Sequence, residues 1–164
     1  MATRDPASDE GEAQARLPFP QFGAVVPGAE YVLRPGGYLV VRNARGEIAV
    51  VSSPRGYFLP GGGQEAGESP AEAAVREAGE ECGLRVRLGE PLGTADQLVY
   101  HTVEDKHYRK RCVFFTADFV GCEGDGEPDH QLLWMRAEEA VTRLRHGSQA
   151  WAVGQARPRG RNGP

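Results

Sequence analysis

Hydrophobic positions fall mostly in short runs of four to seven residues, continuous or alternating with polar ones, a spacing that predicts strands. YLVV (38–41) and EIAVVSS (47–53) are apolar, β-branched runs joined by a turn at Gly46, and GYFL (56–59) is a short strand that runs into Pro60. LRVRLGE (84–90), LGTADQLVYHTV (92–103), YRKRCVFFTADFV (108–120) and QLLWM (131–135) follow. The third of these carries the most to bury: Val113, Phe114, Phe115 and Phe119. Helical spacing occurs twice. From Pro70 to Cys82 the start is marked by Ser69 as N-cap, Pro70 at the first helical position and Glu72 completing a capping box, and Gly83 supplies the stop. Ala140, Val141 and Leu144 set a second helix over 137–146. Strands with two helices predict an α/β (α+β) fold, a mixed sheet with helices packed on its faces.

A chain of 164 residues fits one domain. Residues 1–16, polar and acidic, and 154–164, ending RPRGRNGP, predict tails around a domain over 17–153. A net charge of −4 gives no electrostatic argument for nucleic acid or membrane as partner, and no apolar run reaches the ~18 residues of a membrane span. Cys82, Cys112 and Cys122 lack metal-ligand spacing and are expected as reduced thiols in a cytoplasmic protein. His101, His107 and His130 are not at zinc spacing, so no metal is assigned to them.

On a helical wheel of the first helix, Ala71, Ala74, Val75, Ala78 and Cys82 form the expected buried arc. Glu77, Glu80 and Glu81 converge on another, near the end of the helix where its dipole disfavours anions. Only Arg76 is at hand, and it is expected to project to one side. A hard divalent cation with oxygen ligands would relieve the repulsion and bridge to phosphate. The preceding LPGGGQEAGES is expected as an irregular loop whose glycines let backbone approach a ligand.

Gly62, Glu68, Arg76, Glu77, Ala78, Glu80, Glu81, Gly83 and Leu84 fit every specified position of the Nudix box, G-x5-E-x7-R-E-U-x-E-E-x-G-U, with U aliphatic. The chain therefore resembles the Nudix hydrolases, including the MutT-like members. YFLPGG, with Tyr57 where many members have tryptophan, and LLWMRAEEAVTRL (132–144) extend the resemblance to roughly residues 20–153. It implies an α/β/α sandwich with a mixed central sheet, and Mg²⁺- or Mn²⁺-dependent hydrolysis of a nucleoside diphosphate linked to another group. Glu77 and Glu81 are then expected metal ligands, with Glu80 in or beside the shell and the Gly62 carbonyl completing it. Arg76 is expected to orient carboxylates such as Glu68.

The general base is Glu80 or Glu77, or a carboxylate of the late loop EGDGEPDH (123–130). Arg34, Arg42, Arg55, Glu68 and Tyr100 are candidates for substrate binding, beside the basic group Lys106, His107, Arg109, Lys110 and Arg111. The leading substrate expectation is a nucleoside triphosphate. Dinucleoside polyphosphates, at which Tyr100 hints, and nucleotide sugars are the alternatives, and a non-catalytic nucleotide-sensing module is the rival from another class. Homodimer formation is left open by the sequence.

Overall fold

The computed structural model describes residues 18–156, so the expected tail over 1–16 lies outside the described residues, as do 157–164. Among the described residues eight strands form one mixed sheet: β1 (Gln21–Phe22), β2 (Tyr31–Arg42), β3 (Ile48–Ser53), β4 (Gly56–Phe58), β5 (Gly61–Gly63), β6 (Leu84–His101), β7 (Lys106–Cys122) and β8 (Gln131–Met135). Their order is β1-β6-β7-β2-β3-β4, with β5 on β2 and β8 on β3. β2 runs parallel to β7, and β1 to β6; the other pairings are antiparallel.

Side-chain alternation along the central strands feeds two cores. Leu39, Val41, Ala49, Val51 and Ala117 pack on one face against α1 (Pro70–Cys82). Val40, Ile48, Val50, Ala95 and Phe114 pack on the other against α2 (Ala137–Arg143) and α3 (Gly147–Gln155). The α/β/α sandwich is thus formed as the sequence predicts.

α1 starts and stops where its capping residues dictate: Ser69 Oγ accepts the Glu72 amide at 3.1 Å, and Gly83 is left-handed at φ 65°. Its buried arc differs from the wheel, being Ala73, Ala74, Ala78 and Cys82, while Val75 is exposed. The turn of the helix this implies brings Glu77 and Glu81, four and eight residues after Ala73, partly under cover.

Several boundaries also differ. β2 begins at Tyr31, seven residues before the expected strand, because pairing along its whole length with β7 overrides the local Pro35-Gly36-Gly37 break. The runs 84–90 and 92–103 are one strand ending at His101, bent by irregularities around Pro91 and Gly93. The expected loop at Gly61–Gly63 is a strand: it pairs with Gly36–Tyr38, and a Cβ on Gly37 would lie 1.8 Å from the Pro70 carbonyl oxygen. Glycine at position 37 is what lets α1 come so close to β2. The second expected helix stops at Arg143, and α3, not foreseen, runs to Gln155 with Ala156 buried behind it, so residues 154–156 belong to the fold and not to a tail.

Candidate active site

The strand β5 carries the glycines of the box up to the carboxylate face of α1. The Gly61 amide donates to Glu81 Oε1 at 3.0 Å. A Cβ on Gly62 would stand 2.7 Å from Glu77 Cδ, so glycine alone leaves the carboxylate its place there. The Gly62 carbonyl oxygen lies on the other side, toward Gly36 across the ladder.

Arg76 is the hub of the cluster and does not project away from it. Its Nε and Nη2 form a two-pronged pair with Glu68 at 2.7 and 2.9 Å, Nη1 reaches Glu77 Oε1 and Glu80 Oε2 at 3.1 Å each, and Nη2 donates to the Gly63 carbonyl at 3.0 Å. The guanidinium beside it holds the Glu68 carboxyl down at about 2. Glu68, expected at the substrate, is instead the anchor that fixes Arg76, and through it Glu77 and Glu80.

Glu81 is pushed the other way, up to about 8: burial dominates, the Gly61 amide opposes it, and the charges of Glu77, Glu127 and Glu80 add to it. Burial likewise raises Glu77, against the pull of Arg76. One arginine therefore does not neutralise the group. The donors of the group are all carboxylate oxygens, that of Glu77 placed where a Cβ on Gly62 would intrude, and a set of this chemistry fits a hard divalent cation.

The late loop is strapped to the same helix end. The Glu127 amide donates to the Glu81 carbonyl at 2.9 Å, and a Cβ on Gly126 would lie 2.4 Å from that oxygen. Glu127, Asp129 and His130 place ligand-capable atoms within 4.8 Å of one another, with His130 Nδ1 at 3.1 and 2.8 Å from the two carboxylates. Sequence spacing gave His130 no such company, because the turn at Pro128 folds it back on Glu127.

Beyond Gly63 opens a cleft of about 230 Å³ on the α3 face of the sheet. Arg34 and Arg55, both candidates for substrate binding, line it together with Tyr38, His101, Glu104, Tyr108, Lys110 and Cys112. Two expectations fail here. Arg42 is engaged elsewhere, donating to the Ala156 carbonyl at 2.6 Å and the Gly46 carbonyl at 3.1 Å, where it ties the end of α3 to the sheet. Tyr100 lies outside the cleft, its hydroxyl on Asp105 and its ring 4.9 Å from that of His107.

Within the basic group of β7, alternation decides. Arg109 and Arg111 turn to Asp96, which is wholly buried, with Arg111 two-pronged at 3.0 Å. Tyr108, Lys110 and Cys112 face the cleft. The same parity was available in the sequence, but not the knowledge of which face carries the cleft.

Similarity to known proteins agrees with this geometry. Diphosphoinositol polyphosphate phosphohydrolase 3-beta of Bos taurus is 46% identical over 100 residues, 58% of this chain and 58% of that protein. Diphosphoinositol polyphosphate phosphohydrolase 2 of Homo sapiens is 31% identical over 99 residues, 58% of this chain and 52% of that one. The matched part thus spans little more than half the length of these relatives. Among solved structures, the MutT protein of Methanosarcina mazei Go1 superimposes with a TM-score of 0.62 at 20% identity, over 77% of this chain and 94% of that one. The E. coli dihydroneopterin triphosphate pyrophosphohydrolase does so with 0.61 at 16%, over 76% and 96%. At such identities the shared property is the fold. The family model described as NUDIX domain matches residues 32–154, from the second residue of β2 to the last but one of α3. With a match that takes in both the carboxylate helix and the cleft, the chain belongs to the NUDIX family.

Proposed function

We propose that the protein is a divalent-metal-dependent pyrophosphohydrolase whose substrate is a small molecule crowded with phosphates, of the diphosphoinositol polyphosphate class. The observation that carries this reading is the cleft. Arg34, Arg55 and Lys110 line it and Gly63 borders it, one residue from the glycine that meets Glu77. The aromatic surface a nucleobase would use is largely taken: Arg34 covers the Tyr108 ring at 4.4 Å, and Tyr38 packs on Phe114. The names of the curated relatives at 46% and 31% identity point to the same substrate class.

Glu77, Glu80 and Glu81 would hold Mg²⁺ or Mn²⁺, with Gly62 leaving Glu77 the space that a Cβ would take. The chemistry such a cation supplies when bound is neutralisation of diphosphate charge and acidification of water. The residues of the chain do the rest. Arg76 fixes Glu77 and Glu80, the Gly61 amide fixes Glu81, and the cleft cations hold the phosphates that are not cleaved. Proton acceptance falls to Glu80 on the helix or Glu127 on the loop, both exposed.

The test is a Mg²⁺-dependent turnover screen with product identification. It covers a diphosphoinositol pentakisphosphate, nucleoside triphosphates, dinucleoside polyphosphates and nucleotide sugars. Release of inorganic phosphate from the first, abolished in Glu81→Gln with the fold intact, is expected. Turnover confined to nucleoside triphosphates would replace this reading with the one expected from the sequence. Tight nucleotide binding without any turnover would identify a sensing module.

A further inference from the structure

Arg34 and Lys110 are register partners on the parallel strands β2 and β7, and both line the cleft. Like charges side by side on neighbouring strands repel, and a fold ordinarily sets a carboxylate between them. None is there for Lys110 among the described residues. The carboxylate at the rim, Glu104, is held by the Tyr108 hydroxyl and lies 4.0 Å from both Arg34 and His101. The buried Asp96 is committed to Arg109 and Arg111 on the opposite face of β7. Cys112, next on the cleft side, stays a neutral thiol because burial pushes it up to about 12. Lys110 itself is part-buried, and its ammonium makes no hydrogen bond or ion pair with a described residue. Burial and the charges of Arg55 and Arg34 weaken its hold on a proton.

Resting on the substrate reading above, we propose that Lys110 is a specificity-determining residue. Its ammonium receives a phosphate of the substrate other than the diphosphate being cleaved, so the cleft favours ligands with phosphates to spare. An anion bridging Lys110 and Arg34 would relieve their repulsion and compensate the covered ammonium together. An ordinary surface lysine offers neither gain.

The test uses the full chain with Lys110→Met and Lys110→Arg, folding checked by circular dichroism. Inositol hexakisphosphate, which has no diphosphate to cleave, is the binding probe in calorimetric titration. Lys110→Met is expected to weaken its binding roughly tenfold or more. It should raise KM for a diphosphoinositol pentakisphosphate by a similar factor with kcat little changed, and Lys110→Arg should restore most of both. A lysine that only supports the fold would not produce that split. Unchanged affinity for the probe in folded Lys110→Met, or no binding of the probe by the unaltered protein, overturns the proposal. Should Lys110→Met not fold, Lys110→Gln carries the same test. If the unaltered protein turns over the diphosphoinositol compound and Lys110→Met does so equally well, the assignment of Lys110 fails alone. If Lys110 governs probe binding but only nucleotides are hydrolysed, the substrate reading fails and the cleft assignment stands.

Discussion

Gly62 faces Glu77 so closely that one added carbon would stand 2.7 Å from the carboxylate carbon, whereas the same carbon on Gly37 would meet the Pro70 carbonyl oxygen at 1.8 Å. The two glycines pair across β5 and β2, yet what they protect is different. A side-chain end can swing away; a helix backbone cannot. Gly62→Ala is therefore expected to fold, with a melting temperature near that of the parent, while displacing Glu77. Displacement on the scale of an ångström costs roughly a hundredfold in rate. Gly37→Ala is expected to lose the fold, because α1 must lift off the sheet. Circular dichroism separates the two, and a fully active Gly62→Ala would show that Glu77 does not need its present position.

Glu81 predicts how stability depends on pH without metal. Its folded value of about 8 lies above the ordinary 4.5, so the folded state binds the proton more tightly than the unfolded one. The resulting stabilisation is complete below about pH 4.5 and is lost as pH rises toward 8, worth roughly 3 to 5 kcal/mol by linkage. With a chelator present, the melting temperature should fall between pH 5 and pH 8, and Glu81→Gln should flatten that slope. Mg²⁺ must displace the proton, so its affinity should climb with pH over the same range. A metal-free protein that grows more stable across this window would contradict the burial assigned to Glu81.

How much of this was legible in the sequence differs from element to element. α1 was fixed to the residue, because Ser69, Pro70 and Gly83 are local signals that act on their own backbone. The spacing of Glu77, Glu80 and Glu81 was equally plain, but not their partners: Glu77 and Glu80 meet at Arg76, while Glu81 turns to the Gly61 amide. Residues 31–37 of β2 and the strand Gly61–Gly63 were not visible, because Gly36, Gly37 and the β5 glycines look like breakers until their partners are known. α3 was hidden for a related reason: GSQAWAVGQ has glycines near both ends and no side-chain cap, and it is held by burial of Ala152 and Val153. Arg42 and Arg34 read alike in the sequence. Only the chain's return through α3 to Ala156 sends Arg42 to a structural role.

Gly79 sits in mid-helix, where glycine costs about 1 kcal/mol relative to alanine. No close approach requires it: a Cβ there would meet only the Leu84 carbonyl oxygen, at 3.9 Å, and the position is exposed. Gly79→Ala should stabilise the protein by about 0.5–1 kcal/mol in urea unfolding. It should leave metal binding unchanged, since the methyl group would touch none of the carboxylates and neither Gly61 nor Gly62. A loss of stability would mean that α1 packs against a partner on that side.

At the start of α3 the Ser148 hydroxyl is fully buried and has no hydrogen-bond partner among the described residues, although the amide of the same residue donates to Gln97 Oε1 at 3.1 Å. An unpaired buried hydroxyl forfeits its hydration without return, at a cost of about 1–3 kcal/mol. Ser148→Ala removes that cost and keeps the amide contact, so the expected change is neutral to stabilising, by up to about 1 kcal/mol. Gln97→Leu is the converse: it keeps the volume but strands the Ser148 amide, and should destabilise by roughly 1–3 kcal/mol. The pair of measurements shows whether the helix start is held by its backbone or by its side chain. If Ser148→Ala were the more damaging of the two, the hydroxyl would have to be bonded to a buried water, and α3 would hang from that water and not from Gln97.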